Sequence, residues 1–330
     1  MWTPRSLLLG LVLSSAGVAG CETRGSDLVP PTADQDPRLP QITVELAGRR
    51  RALHLETFGD AANPTLLVFH GGEGSDFRAM LPLQELSDRY FVVMWDARGS
   101  GLSERITAEE VSESSYADEV HLVKERFSPG APATLVGYSS GGFHAAIALT
   151  HYRDDFEQLV LIESDPFDAA ARATAEIEVP LTAQWVHEYL WQNEVLTPDD
   201  HALADYKMMS VAQPALAQVS CDPAHPSHYP TWRMGAMVRV HAARVLAHAD
   251  FRPGASAYRG HVRIIATRCG PLAAAFQRTH VAPLFENVDL VELGDGVDHL
   301  NVFDRGRVPL LAALRGFLSA YQGQGQGDDR

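Results

Sequence analysis

Short apolar runs alternate with helix-period segments along most of this chain, and that alternation restricts its fold more than any other feature. TLLVFH (65–70), YFVVMW (90–95), ATLVGY (133–138), QLVLIES (158–164), HVRIIATR (261–268) and VDLVEL (288–293) are too short to be helices of that apolarity, and they read as buried strands. Between them, segments near 76–89, 116–127, 142–152, 272–285 and 307–321 have helical patterning; in 116–127, Val120, Val123 and Phe127 fall on one face. Consecutive parallel strands need crossover connections. The pattern therefore predicts an α/β fold: a mostly parallel sheet with helices on both faces. QITVEL (41–46) and RALHLETF (51–58) read as an opening hairpin turned at Gly48.

From about residue 165 to 253 the alternation stops and helix follows helix, which predicts an inserted helical lid between two core segments, 41–164 and 254–322. The remaining tail, 323–330, is low-complexity. The chain has 330 residues, 45% of them hydrophobic, enough for a substantial core. Its formal net charge of −15, without a basic patch, argues against nucleic acid as a partner.

The N-terminus has one basic residue, Arg5, then an apolar run and small residues ending at Cys21, the pattern of a secretory signal over 1–20. Val18-Ala19-Gly20-Cys21 resembles the lipobox of bacterial lipoproteins. That resemblance implies export across the inner membrane, lipid attachment at Cys21 and a periplasmic or cell-surface location, with the polar, proline-rich stretch 21–40 as a tether. Cys221 and Cys269 are then free to pair in an oxidising compartment.

VGYSSGG (136–142) places Ser139 at G-x-S-x-G spacing between an expected strand and an expected helix. That is the setting of a nucleophile elbow, where small residues at Gly137 and Gly141 permit the tight turn. With HGGEG (70–74), WDARGSGLS (95–103) and the order of strands, the region 41–322 resembles the α/β-hydrolase fold family, and within it the branch of proline iminopeptidases and related small-molecule hydrolases. Glu73 stands where that branch usually has proline, and Ser140 where a bulky residue is common.

The resemblance implies an oxyanion hole made by the amides of Gly72 and Ser140, with the Glu73 side chain facing away from it. It also implies a histidine after the last strand, where His299 stands in LGDGVDHLNVF; His280 lies earlier, within an expected helix. The usual acid position, after 261–268, reads Arg268-Cys269-Gly270-Pro271-Leu272 and holds no carboxylate. The preceding strand ends in LIESD, similar to the arrangement in haloalkane dehalogenases, so Glu163 is the expected acid and Asp165 the alternative.

The expected function is a serine hydrolase acting on a small ester or amide, or a short peptide, through an acyl-enzyme, with Ser139, His299 and Glu163 as catalytic residues. This chemistry needs no metal or organic cofactor. Two other readings stand beside it. One is an aminopeptidase of the proline iminopeptidase type, in which Glu188, Glu194 or Asp205 of the lid would hold the substrate amine. The other is a lipoprotein that keeps the fold for binding alone. Trp185, Tyr189, Trp191, Tyr206, Met208, Met209, Trp232, Met234 and Met237 supply the lid's apolar bulk.

Overall fold

The computed structural model describes residues 28–175, 201–216, 220–222, 227–246 and 249–321. Eight strands form one sheet in the order β1-β2-β4-β3-β5-β6-β7-β8. They are β1 (Gln41–Leu46), β2 (Arg49–Phe58), β3 (Thr65–Phe69), β4 (Phe91–Trp95), β5 (Ala133–Tyr138), β6 (Phe156–Ile162), β7 (His261–Ala266) and β8 (Val288–Glu292). β1 and β2 pair antiparallel across a two-residue turn in which Ala47 and Gly48 both have positive φ, 50° and 73°, as a tight hairpin turn requires. β2 runs antiparallel to β4, and every pairing from β4 to β8 is parallel.

Side-chain alternation along the strands builds two cores. Leu67, Phe69 and Leu135 face α1 (Glu113–Phe127) and α2 (Ser140–Tyr152), packing with Val120, Val123, Phe143 and Ile147. Leu66, Val68 and Val136 face the other way, toward Met80, Leu83 and Leu86 and toward the C-terminal helix Arg307–Tyr321, whose Leu310, Leu314, Phe317 and Leu318 recur at helical spacing. Each such side chain contributes about 1.5–3 kcal/mol when fully buried. Ser112 starts α1 by accepting the amide of Ser115, and the helix ends at Ser128 before the turn at Gly130.

Two expected helices are wound differently. The segment near 76–89 is a 3-10 helix, Arg78–Asp88, with Pro82 inside it. Proline offers no amide to an α-helical ladder. The segment near 272–285 passes from Ala274–Phe276 through a π turn, Gln277–Val281, to a 3-10 turn containing Pro283. Buried Gln277 donates there to the carbonyls of Ser164 and Leu272.

The described part of the inserted region is helical: α3 (Ala169–Thr174), α4 (His201–Leu216), α5 (Ala236–Leu246) and α6 (Arg252–Ala257). A further departure concerns the expected tether. From Leu28 the chain is docked, with Val29, Thr32 and Ala33 buried, the Ala33 amide on the Leu102 carbonyl and Arg233 Nη1 on the Pro30 carbonyl at 2.7 Å. Among the described residues no helix is long and apolar enough to cross a membrane. The signal and Cys21 lie outside them.

The chain leaves β3 for β4 on one side and then crosses to β5 on the other, so strand order reverses between β3 and β5. Open α/β sheets bind ligands at the carboxyl ends of strands beside such a reversal. Here those two ends lead into HGGEG and Ser139.

Candidate active site

Ser139 leaves β5 at φ 52°, ψ −122°, a conformation costly for a residue with a Cβ. Its amide donates to the Ile162 carbonyl at the end of β6, and its carbonyl accepts the amides of Gly142 and Asp165, all at 3.0 Å. The neighbouring strand thus holds the turn. A Cβ at Gly141 would run into the backbone of Phe69 and His70, so helix α2 can approach β3 only with glycine there.

The serine hydroxyl lies 3.1 Å from Nε2 of His299, which sits beyond β8. If Oγ–H donates, the imidazole proton resides on Nδ1. Nδ1 faces Oε2 of Glu163 at 3.5 Å, and neither atom has another hydrogen-bond partner. Glu163 is fully buried, itself at φ 47°, and its Oε1 accepts the Thr267 amide at 2.6 Å. The structure therefore brings Ser139, His299 and Glu163 into one line. Asp165 is not in it: its carboxylate faces Arg172 at 3.3 Å.

Gly71 packs against the serine, since a Cβ on it would lie 2.8 Å from that of Ser139 and 2.6 Å from the Tyr138 ring. Gly72, at φ 73°, follows at once, and Ser140 opens α2. Neither the Gly72 nor the Ser140 amide donates to a backbone carbonyl among the described residues. The Glu73 carboxylate turns into the body and meets His144 Nε2 at 3.2 Å. Burial alone would raise the Glu73 carboxyl, but the His144 imidazole, with the charge of Arg239 adding to it, holds the group below the ordinary range.

The other motif residues are buried and tie the surrounding loops together. Asp96 accepts His54 Nδ1 at 2.8 Å, the Phe77 amide at 3.0 Å and the Leu102 amide at 2.8 Å. Arg98 pairs with buried Glu119 at 2.8 Å. His70 accepts the Ala97 amide at 3.1 Å, and burial lowers its pKa, which keeps the ring neutral. Asp76 takes three donors from the inserted region, Thr231 Oγ1 and the Trp232 amide at 2.6 Å and the Arg233 amide at 3.1 Å. Burial, then the charge of Asp96, push its pKa up to about 7.

Asp205 corrects an expectation. It is not free to hold a substrate amine: it is fully buried and bonded to Arg105 at 2.8 Å and to Arg233 at 2.6 Å. Glu188, Glu194, Trp185, Tyr189 and Trp191 lie outside the described residues. Met208, Met234 and Met237 are buried, whereas Tyr206 is exposed. His280 faces Thr174 at 3.3 Å on the surface. Cys221 and Cys269 are joined as a disulfide with a Cα separation of 5.7 Å.

Three contributors were missed by sequence reasoning. The Tyr138 hydroxyl donates to the His299 carbonyl at 2.5 Å, with the two rings stacked 5.0 Å apart. The Thr267 amide fixes Glu163. Asp298 accepts the Leu300 and Asn301 amides, at 3.1 and 3.0 Å. Only the last left a readable trace, an aspartate three residues before an asparagine in DHLN. Among the described residues, His121, Glu125 and Asp155 have donor atoms close enough to share a metal ion, but Lys124 already places its ammonium 2.6 Å from Glu125.

The sheet order, the left-handed serine at the end of β5 and the position of the histidine beyond β8 together decide the architecture. The chain has the α/β-hydrolase fold. A family model described as alpha/beta hydrolase fold matches residues 64–197. A 2-(acetamidomethylene)succinate hydrolase from Mesorhizobium japonicum is 33% identical over 108 residues, a stretch that spans 32% of this chain and 37% of that hydrolase. Among solved structures, this α/β-hydrolase fold is similar to the enol-lactonase of Burkholderia xenovorans LB400, with a TM-score of 0.58 at 20% identity, covering 84% of this chain and all of the other. A thermophilic esterase from Thermogutta terrifontis gives a TM-score of 0.58 at 17% identity, covering 85% of this chain and 98% of its own.

Proposed function

We propose that the protein is a serine hydrolase that cleaves a small ester or amide through an acyl-enzyme. The observation that carries this reading is the 3.1 Å contact between the Ser139 hydroxyl and His299 Nε2, made by a serine held at positive φ. In the first step Ser139 Oγ attacks the substrate carbonyl while its proton passes to Nε2. Glu163 holds the resulting imidazolium from the Nδ1 side. The Gly72 and Ser140 amides receive the oxyanion, helped by the N-terminal end of α2. Nε2 then returns its proton to the departing alcohol or amine, and a water activated by the same nitrogen releases the acid. The names of the relatives, a succinate-derivative hydrolase, an enol-lactonase and an esterase, support a small substrate.

The narrower reading, an aminopeptidase of the proline iminopeptidase type, loses one of its candidate amine-binding groups, because Asp205 is already committed to Arg105 and Arg233. Turnover of prolyl amides in preference to acyl esters would restore it. A fluorophosphonate probe tests the main reading directly. It should label Ser139 in the folded protein, and the absence of an adduct would favour the reading in which the fold serves binding alone. Export and lipid attachment at Cys21 rest on the lipobox resemblance and belong to the same proposal. Incorporation of labelled fatty acid, lost in Cys21→Ser, is its test.

A further inference from the structure

Ser220, Cys221 and Ser227 of the inserted region reach both halves of the His299–Glu163 pair. On one side, Asp298, the residue before His299, is buried and divides its two oxygens. Oδ1 caps its own loop through Leu300 and Asn301, whereas Oδ2 accepts Ser220 Oγ at 2.7 Å, the Cys221 amide at 3.2 Å and Ser227 Oγ at 3.3 Å. Asn301 adds a bond from Nδ2 to Ser227 Oγ at 3.0 Å. On the other side, Cys221 is joined to Cys269. The Cys269 carbonyl accepts Thr267 Oγ1 at 2.9 Å, and the Thr267 amide is the one that holds Glu163 Oε1.

We propose that Asp298 and the Cys221–Cys269 disulfide form a two-point brace by which the inserted region positions His299 against Glu163. Asp298 is a positioning residue here, since its contacts are to the loop and to the inserted region and not to the reacting atoms. The need for a brace is visible in the pair itself: Nδ1 and Oε2 stand 3.5 Å apart, and neither has a second partner to orient it. Small errors in such geometry are expensive, a displacement of about 1 Å being able to cost on the order of a hundredfold in rate. A segment tied to both loops is therefore placed to set the rate without touching substrate.

The proposal rests on the serine-hydrolase reading for its kinetic test, and one measurement is independent of it. Asp298→Asn keeps an oxygen for Leu300 and Asn301 but sets an amide N–H against the Cys221 N–H and forces the Ser220 and Ser227 hydroxyls to turn from donors to acceptors, which loosens the tie to the inserted region. Ser220→Ala, a milder variant, removes the 2.7 Å donor and, with it, a long 3.4 Å acceptor for the Asp222 amide. The paired change Cys221→Ser with Cys269→Ser cuts the other tie. In each, kcat for a soluble ester should fall, by about tenfold or more for Asp298→Asn, with KM within about threefold. When the two ties are cut together the losses should not multiply, because both act on the same pair. The downfield imidazole proton resonance of His299, identified by its absence in His299→Asn, should move or broaden in the same variants. An unchanged kcat and resonance, a loss confined to KM, or fully multiplicative losses would overturn the brace. Failure of the hydrolase reading would look different: no fluorophosphonate adduct in the unmodified protein, with the resonance still able to decide the question.

Discussion

His299 Nδ1 and Glu163 Oε2 face each other at 3.5 Å, and each is buried without another partner. Asp165, two residues along, is turned to Arg172 instead. Replacing the carboxylate by an amide of the same shape should therefore remove support for one imidazole tautomer and for its charged form. We expect Glu163→Gln to lower kcat on the order of 10⁴-fold, and Asp165→Asn to leave it within about threefold. Steady-state kinetics with a soluble ester separates the two, and the reverse ranking would move the acid to Asp165.

Ser139→Ala removes a hydroxyl whose protein partner is His299. Activity should fall by about 10⁶-fold and fluorophosphonate labelling should vanish, with the melting temperature changed little. Residual labelling elsewhere at an undiminished rate would point to another nucleophile.

Gly71 has no room for a methyl group: a Cβ there would meet the Tyr138 carbonyl and the Ser139 Cβ, both at 2.8 Å. Gly71→Ala should destabilise by about 1–3 kcal/mol through overpacking and reduce kcat further by displacing the serine. Gly294 is the control, since a methyl group there would have nothing within 4 Å. Its change to alanine should stay within about 0.5 kcal/mol in urea denaturation.

The buried pair of Glu73 and His144 predicts an asymmetry in stability. His144→Leu leaves a buried carboxylate uncompensated and should cost about 3–5 kcal/mol, whereas the double change Glu73→Leu with His144→Leu should recover much of that. Because the folded Glu73 carboxyl sits below its ordinary range, its contribution is present above that range and is lost as pH falls through the folded value. Denaturation curves of the three proteins at two pH values check both points.

Asp76 carries the opposite sign. Its folded pKa, raised to about 7, means that the native state holds this proton while the unfolded chain has released it. This group should make stability decline as pH rises from about 4 to about 7, and should add no further slope above. Subtracting the profile of Asp76→Asn isolates that slope from the other carboxylates. A flat difference between about pH 4.5 and about pH 7.5 would refute it.

The parts of the site that are local in sequence could be read before the fold was known. Ser139 has its own strand, turn and helix on either side, and His299 follows the last apolar run. The sheet was legible for the same reason, since the central strands β3, β4 and β5 are contiguous apolar runs and β1 and β2 flank a turn at Gly48. What escaped reading depends on partners far along the chain: Asp76 on residues 231–233, Asp205 on Arg105, and Asp298 on Ser220. An acidic residue on a helix carries no local mark of whether water or an arginine will meet it. The 3-10 and π windings likewise follow from proline placement and a buried glutamine, which a helical period does not register.

The pairing of β6 with β7 places Ile162 beside Ile265, so the two strands finish at nearly the same height, one of them leading into Glu163 and the other into Thr267 and Cys269. Parallel neighbours stand only about 4.8 Å apart. A carboxylate supplied from either strand end can reach a single imidazole. Here the end of β6 supplies that carboxylate, and the loop after β7, which has none, carries a sulfur bridge instead.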